Sequence, residues 1–124
     1  MELEPYFFDT YALFEVIRGS PEYVGYQKGI SIVTTRLNLM ELYYGLLRDH
    51  GKKVAEHYFD KLWTYAVDLD EHITKDAMEF RLANRDLEMS YIDCMGYIFA
   101  VRNKIKFLTG DKAFKDLEGV EYVK

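Results

Sequence analysis

Short apolar runs alternate with longer helix-forming segments along the chain. The runs are aromatic or β-branched, which is typical of strands, and they occupy residues 6–8, 30–34, 65–69, 106–109 and 120–123. Segments predicted as helices lie between them, at residues 10–18, 36–49, 52–64, 71–86 and 90–103. This alternation predicts an α/β protein with a parallel sheet and helices on both faces, because parallel strands need helical crossovers.

Turn and capping residues mark the ends of these segments. Gly19-Ser20-Pro21 closes the first helix, Gly51 separates the second helix from the third, and Ser90 opens the last long helix. Gly110-Asp111 is a turn, and a helical turn follows it before the final strand. Residues that follow parallel strands are expected to gather at one edge of the sheet.

The composition fits one globular domain, predicted over residues 1–124. Hydrophobic residues make up 49% of the chain, which is enough for a core, and the formal net charge is −5. The uncharged run from Cys94 to Val101 is far too short to span a membrane. The acidic start, MELEPYFFDT, lacks the basic residues of a signal peptide, so a cytoplasmic location is predicted.

The cysteine and histidine residues do not point to a redox or zinc site. Cys94 is the only cysteine, so no intramolecular disulfide forms, and its apolar setting favours a buried hydrophobic role over a catalytic thiol. His50, His57 and His72 lack the spacing of metal ligands. The candidate chemistry therefore rests on carboxylates.

Two aspartates follow predicted strands. Asp9 comes directly after Tyr6-Phe7-Phe8, and Asp111 follows the strand that ends at Thr109. Each has a simpler explanation, because Asp is a good N-cap for the first helix and Gly-Asp is a common turn pair. In the functional interpretation, both carboxylates project over the same edge of the sheet.

Glu41 lies in an apolar part of the second predicted helix, Leu39-Met40-Glu41-Leu42-Tyr43-Tyr44. A carboxylate on a mostly buried helix is costly unless it is paired, neutral or bound to a cation. Asn38 and Arg48 are compatible with the alternative, in which Glu41 simply faces solvent. If the helix is buried on most sides, Glu41 is the acid that most needs a cation.

Asp93 stands near the start of the last long helix. Ser90-Tyr91-Ile92-Asp93 is a variant of the capping box, which gives Asp93 a structural role. The helix carries no charge from Cys94 to Val101, so it is expected to be central and buried. An acid at the positive end of such a helix can serve both as a cap and as a metal ligand.

The four acids are expected to converge if strand ends and helix starts share one edge of the sheet. Clustered carboxylates raise one another's pKa, and a divalent cation removes that repulsion. Oxygen-only ligands select hard ions, so Mg²⁺ or Mn²⁺ is expected, and such a metal activates water and offsets charge at a phosphodiester. The predicted catalytic and metal-binding residues are Asp9, Glu41, Asp93 and Asp111.

Four segments resemble the PIN domain, and specifically the VapC-type toxin nucleases of bacteria and archaea. They are FFDT around Asp9, TTRLNLMELYYG around Glu41, SYIDCMGYIFA around Asp93 and FLTGDKAFKDL around Asp111. Their order and spacing agree with the family, and the resemblance covers nearly the whole chain.

The resemblance implies a three-layer α/β/α sandwich with a parallel sheet of four or five strands, and Mg²⁺- or Mn²⁺-dependent cleavage of RNA. The four acids match the family's acidic positions one by one. Thr10 and Thr109 match positions whose hydroxyl groups support the site, and Asp116 matches loosely as an auxiliary acid. The resemblance also implies a homodimer, inhibited by a partner antitoxin that wraps a hydrophobic groove.

A basic segment adjoins Asp111. Residues 102–115 hold five basic residues and one acid, whereas residues 1–101 hold 10 basic and 17 acidic residues. Lys112 in this segment and Arg36 before Glu41 are interpreted as phosphate contacts, and the alternative is an ordinary solvated face. Most of the 11 tyrosines are expected in the core or at interfaces, and three are predicted to be packing residues: Tyr43, Tyr44 and Tyr97.

The preferred hypothesis is endonucleolytic hydrolysis of single-stranded or loop RNA by the toxin of a toxin–antitoxin pair. Two alternatives keep the fold: a non-catalytic scaffold that binds a protein partner, and a PIN nuclease of RNA processing or quality control outside any toxin pair. A third is a phosphoacceptor receiver domain. Asp68 and Asp70 lie near its acceptor position, but Asp9 has no adjacent acid.

Overall fold

Five parallel strands form one sheet in the computed structural model, which describes residues 2–124; Met1, the first residue of the predicted 1–124 domain, lies outside the described residues. The strands are Glu4–Phe8 (β1), Ile30–Thr35 (β2), Ala66–Val67 (β3), Lys106–Thr109 (β4) and Val120–Tyr122 (β5). Their order is β3-β2-β1-β4-β5, and each neighbouring pair is parallel. The predicted parallel sheet is confirmed.

Helices cover both faces of this sheet, as predicted. The α-helices are Thr10–Arg18 (α1), Arg36–His50 (α2), Lys52–Leu62 (α3), Glu71–Ala83 (α4) and Tyr91–Arg102 (α5). Short 3₁₀ helices add Pro21–Gln27, Trp63–Tyr65, Arg85–Leu87 and Lys112–Phe114. None of the helices within residues 2–124 combines the length and the apolar character needed to cross a membrane.

The core is divided in two because successive side chains of a strand point to opposite faces of the sheet. Phe7 and Phe107 pack on one face, in a cluster with residues of α4 and α5. Phe8 and Leu108 pack on the other face, in a cluster with residues of α1, α2 and α3. Both faces of the central strands are therefore buried, which explains why their sequences are continuous apolar runs.

Gly96 lacks a side chain, and this lets α5 approach the sheet closely. A Cβ atom at this position would lie 2.6 Å from Cε1 of Phe7, whose ring stacks on Phe107 at 5.6 Å between centroids. Gly96→Ala should therefore lower the free energy of unfolding by about 1–3 kcal/mol, although alanine is the better helix former. Urea unfolding measures the change. Gly25→Ala is the matched control, because a Cβ there meets nothing within 4 Å; equal stability of the two variants would contradict the expectation.

Three elements differ by more than two residues from the sequence prediction. β3 has two residues rather than the predicted 65–69, because it is an edge strand that pairs only with the end of β2. Residues 21–27, where the sequence predicts no element, form a 3₁₀ helix that buries Tyr23. α4 ends at Ala83 rather than at residue 86, and the side-chain amide of Asn84 donates to the carbonyl of Phe80.

The strand order places a crevice where the site is expected. The chain runs from β1 to β2 and β3 on one side and then crosses to β4 and β5 on the other. The carboxyl ends of β1 and β4 are thus the switch point at which open α/β sheets bind ligands. The same order disfavours a receiver domain. Such a domain would need the acids after β1 and the acceptor aspartate after β3 in one site, but β2 lies between these two strands. Asp68 pairs with Arg36 at 3.2 Å, and Asp70 caps α4 instead.

Candidate active site

The four predicted acids line one pocket of about 940 Å³ at the carboxyl ends of β1 and β4. Asp9 follows β1, Glu41 projects from α2, Asp93 lies in the first turn of α5, and Asp111 follows β4. Two of the predicted supporting residues, Thr10 and Lys112, also line it. The fold therefore brings together acids that are up to 102 positions apart in the chain.

Asp9 is the most deeply buried of the four, with 1% of its surface exposed. One carboxylate oxygen accepts a hydrogen bond from the backbone N–H of Ala12 at 2.8 Å, so Asp9 also caps α1. The other accepts a hydrogen bond from the hydroxyl of Thr109. Burial raises the pKa of Asp9 to about 8; these two hydrogen bonds oppose the shift, and the charges of Asp93 and Asp111 add to it.

Thr109 links the two strand-end aspartates. Its buried hydroxyl donates to Asp9 and accepts a hydrogen bond from the backbone N–H of Asp111 at 3.0 Å. The Asp111 side chain accepts from the backbone N–H of Ala113 at 3.0 Å and so caps the helical turn that follows. Asp9 is thus the N-cap of α1 and Asp111 lies in a turn, as the simpler explanations predicted. Both residues nevertheless line the pocket.

Glu41 is held by a chain of polar groups. The hydroxyl of Thr10 donates to its carboxylate at 2.7 Å and accepts from the amide of Asn38 at 3.1 Å. The carbonyl oxygen of the Asn38 side chain in turn accepts from Thr35 at 2.6 Å. In the sequence, Asn38 is interpreted as a sign that this face of α2 is exposed to solvent. That interpretation of Asn38 is wrong, because its side chain is fully buried. The sequence signal for its role is the Thr-x-x-Asn spacing at the start of α2.

Asp93 occupies the third position of α5, and Ser90 is the N-cap. The Ser90 hydroxyl oxygen accepts a hydrogen bond from the backbone N–H of Asp93 at 3.0 Å. Burial raises the pKa of Asp93 to about 6; the Ser90 hydroxyl opposes the shift, and the charges of Glu41 and Asp111 add to it. The pKa of each of these two carboxylates, Asp9 and Asp93, is therefore raised further by the charges of two other acids of the pocket.

The donor set suits a hard divalent cation, because the four acids offer only oxygen atoms. Within residues 2–124, however, no three Asp, Glu, His or Cys side chains already stand in a metal-coordinating arrangement. Both oxygens of Asp9 and one of Glu41 accept hydrogen bonds from the protein. If a hard divalent cation binds here, the carboxylates of the four acids would supply its protein ligands, and the hydrogen bonds would fix the orientation of Asp9 and Glu41.

Thr109 lies behind the pocket lining and contacts Asp9, whereas two other predicted site residues, Arg36 and Asp116, do not belong to the site. Arg36 pairs with Asp68 and lies over the ring of Trp63, at 4.8 Å from its centroid. Asp116 is exposed and does not belong to the pocket lining. Cys94 is fully buried as expected, and burial raises the pKa of its thiol to about 11.

The basic segment 102–115 does not form one phosphate-binding patch. Among the basic residues of this segment, which the structure describes in full, only Lys112 belongs to the pocket lining. Lys106 begins β4 and so lies at the opposite edge of the sheet, while Arg102 pairs with Asp76 on α4. The charge count of the segment is correct, but the strand within it separates its two ends.

Other residues of the pocket lining were not predicted from the sequence. Two of them are basic, Arg48 and Lys124, and Tyr122 borders the pocket from the end of β5. The guanidinium of Arg48 pairs with the carboxylate of Asp49 at 2.8 Å, and both side chains are partly exposed. Tyr44 lines the pocket with 67% of its surface exposed, so its prediction as a packing residue is wrong. Tyr97 is buried as predicted.

Comparison with protein families matches residues 6–120 to the PIN domain. Comparison with curated proteins gave no match. The chain belongs to the PIN domain family.

Solved structures share this fold. A toxin–antitoxin complex from Klebsiella pneumoniae is 17% identical, with a TM-score of 0.72 and coverage of 94% of this chain and 95% of that chain. VapC20 from Mycobacterium tuberculosis, described as a Sarcin-Ricin loop cleaving toxin, is 18% identical, with a TM-score of 0.75 and coverage of 96% and 99%. VapBC2 from Rickettsia felis, bound to a DNA fragment from their promoter, is 19% identical, with a TM-score of 0.73 and coverage of 95% and 98%.

Proposed function

We propose that this protein is an Mg²⁺- or Mn²⁺-dependent endoribonuclease that acts as the toxin of a toxin–antitoxin pair. The observation that carries the proposal is the gathering of four carboxylates in one pocket at the switch point of the sheet. Such a group is electrostatically unfavourable without a cation. Membership of the PIN domain family and the similarity to VapC structures support a toxin-type PIN nuclease.

In this proposal Asp9, Glu41, Asp93 and Asp111 hold the cation. A bound divalent cation lowers the pKa of a water molecule and offsets charge on the phosphate. Thr109 and Thr10 fix the orientation of Asp9 and Glu41 through their hydroxyl groups. Lys112 lies in the pocket lining next to Asp111, where its ammonium group is suited to attract the RNA backbone.

Cleavage of unpaired RNA with and without EDTA tests the proposal. We expect endonucleolytic products with Mg²⁺ or Mn²⁺, complete loss of cleavage in EDTA, and recovery when the metal is restored in excess. RNA that stays intact under all metal conditions would contradict the proposed activity.

Metal titration by calorimetry separates the nuclease from a non-catalytic scaffold. We expect Mn²⁺ to bind at the acidic pocket and the binding to weaken when Glu41 is replaced by Gln, because one ligand charge is lost. Glu56→Gln is the matched control, since Glu56 is exposed on α3. A protein that binds no Mn²⁺, or binds it equally in both variants, would favour the scaffold.

An antitoxin partner and a homodimer complete the proposal. Two of the similar structures are a toxin–antitoxin complex and VapBC2 on promoter DNA, which supports a partner of this kind for this chain. Inhibition of cleavage by a small protein encoded next to this one would support the toxin role over a role in RNA processing. Analytical ultracentrifugation tests the dimer.

A further inference from the structure

Tyr44 is the most exposed large apolar side chain in the pocket lining, at 67% of its surface, followed by Met40 at 54%. Its neighbour Tyr43 is half-buried and packs edge-on against Phe59, with 5.4 Å between ring centroids. A single exposed aromatic side chain is ordinary on a protein surface. The position of this one, beside four carboxylates, is what gives it significance.

Three chemically different side chains form a stripe along α2. Glu41, Tyr44 and Arg48 all line the pocket, and their spacing of three and seven residues places them on one face of the helix. At 1.5 Å per residue, Tyr44 lies about 4.5 Å beyond Glu41 along the helix axis and Arg48 about 10 Å beyond it. A carboxylate, an aromatic ring and a guanidinium group therefore follow one another away from the acidic centre.

The ring of Phe14 packs against α2 at Gly45, next to this stripe. A Cβ atom at position 45 would lie 2.3 Å from Cζ of Phe14, so only glycine lets the Phe14 ring pack against the backbone of α2. Phe14 and Gly45 both line the pocket beside Tyr44. The ring of Tyr44 thus stands at the rim of an apolar recess that opens directly onto the carboxylates.

We propose that Tyr44 stacks on one unpaired base of the RNA, next to the phosphate held at the acidic centre; this rests on the proposed function. Every base offers a flat π surface, and a base in a duplex keeps that surface covered by its neighbours. Arg48 lies where the next phosphate of the strand would pass. Its guanidinium pairs with the neighbouring Asp49 at 2.8 Å, but this pair is open to solvent and therefore weak, so a phosphate would compete with Asp49 for it. An apolar segment of a protein partner does not match this order of acid, ring and cation, so we favour the nucleotide.

Fluorescence of an RNA that carries 2-aminopurine tests the stacking directly. The base is moved along a short unpaired oligoribonucleotide, which is bound with Mg²⁺ to the Asp93→Asn protein so that the strand stays intact. We expect quenching at one position, retained in Tyr44→Phe and lost in Tyr44→Leu, with roughly tenfold weaker binding for the leucine variant. Tyr65→Leu is the matched control, because Tyr65 is 41% exposed outside this pocket.

Kinetics on the otherwise unchanged protein give a second measurement. Tyr44→Leu should raise KM about tenfold with little change in kcat, and an RNA that is abasic at the stacked position should remove the difference from the parent protein. Equal quenching and equal KM for the proteins with Tyr, Phe or Leu at position 44 would overturn the proposal. That result would favour a protein partner as the ligand of the Tyr44 ring. Quenching without any cleavage by the parent protein would refute the nuclease and retain the base-stacking site.

Discussion

Replacement of Asp93 by Asn should lower the rate of RNA cleavage by at least about 100-fold while the protein stays folded. Asn has the size of Asp but lacks the negative charge that would hold the cation. Because Asp93 faces the pocket beside Glu41 and Asp111, its charge is part of the shared site. Initial rates on a fluorogenic RNA at saturating Mg²⁺ or Mn²⁺ measure the loss.

The fold is expected to survive because the start of α5 does not depend on this carboxylate. Ser90 is the N-cap, and its hydroxyl oxygen accepts the hydrogen bond from the backbone N–H of Asp93, which Asn retains. Burial and neighbouring charges already raise the pKa of Asp93 to about 6, so a neutral side chain relieves repulsion. The free energy of unfolding should therefore be unchanged or slightly higher.

Asp116→Asn is the matched control for this experiment. Asp116 is exposed and lies outside the pocket lining, so its loss should leave the cleavage rate within about twofold of the parent. A normal rate for Asp93→Asn would show that the acids are not a catalytic metal site. A large loss of cleavage rate in Asp116→Asn would support Asp116 as an auxiliary acid of the site.

The elements that bury both faces of the sheet were the easiest to predict. Phe7 and Phe8 lie in one apolar run because they fill the cores on opposite sides of β1. Asp9 and Asp111 follow such runs, so strand order alone brings them to one edge. The parallel sheet and the position of both aspartates at its carboxyl edge follow from patterns within a few residues of each acid, whereas the pairing of β1 with β4 is seen only in the structure.

Positions on a helix face were harder to assign. Arg36 precedes Glu41 by five residues, which turns it about 140° away around α2, and it contacts Trp63 instead of the pocket. Arg48 follows Glu41 by seven residues and shares its face. In the sequence, Arg48 favoured a solvent-facing Glu41; in the structure, that face is the open pocket itself.

The burial of each acid depends on packing between distant elements. The apolar neighbours of Glu41 made it the acid expected to need a cation most. Two of these neighbours, Met40 and Tyr44, are exposed, and Glu41 itself is half-buried. Asp9 is the buried acid instead, because β1 is the central strand and its end is covered on both sides.

Replacement of Asp9 by Asn should stabilise the metal-free protein at pH 8 by about 2–4 kcal/mol. Burial raises the pKa of Asp9 to about 8 in the folded state, whereas the pKa in the unfolded chain is about 4. Between these values the folded protein holds a proton that the unfolded chain has released, so stability falls as the pH rises. Asn carries no charge and removes this dependence, and the altered hydrogen bond with Thr109 offsets part of the gain.

Urea unfolding in EDTA from pH 5 to pH 8 measures the effect. The two proteins should have similar stability at pH 5, where Asp9 is protonated, and should diverge as the pH rises. Asp60→Asn is the matched control, because Asp60 is exposed on α3 and its charge does not face the pocket. Parallel pH profiles for the parent and Asp9→Asn would show that burial does not hold Asp9 in its neutral form.

Saturating Mn²⁺ should reduce or reverse the difference in the free energy of unfolding between the parent protein and Asp9→Asn. A ligand that binds only the folded state adds about 2.7 kcal/mol at a concentration 100 times its Kd. The parent protein should gain this stabilisation, and Asp9→Asn should gain less because it lacks one ligand charge. The buried charge that weakens the metal-free fold is, on this account, the same charge that binds the catalytic cation. Equal stabilisation of both proteins by Mn²⁺ would place the metal away from Asp9.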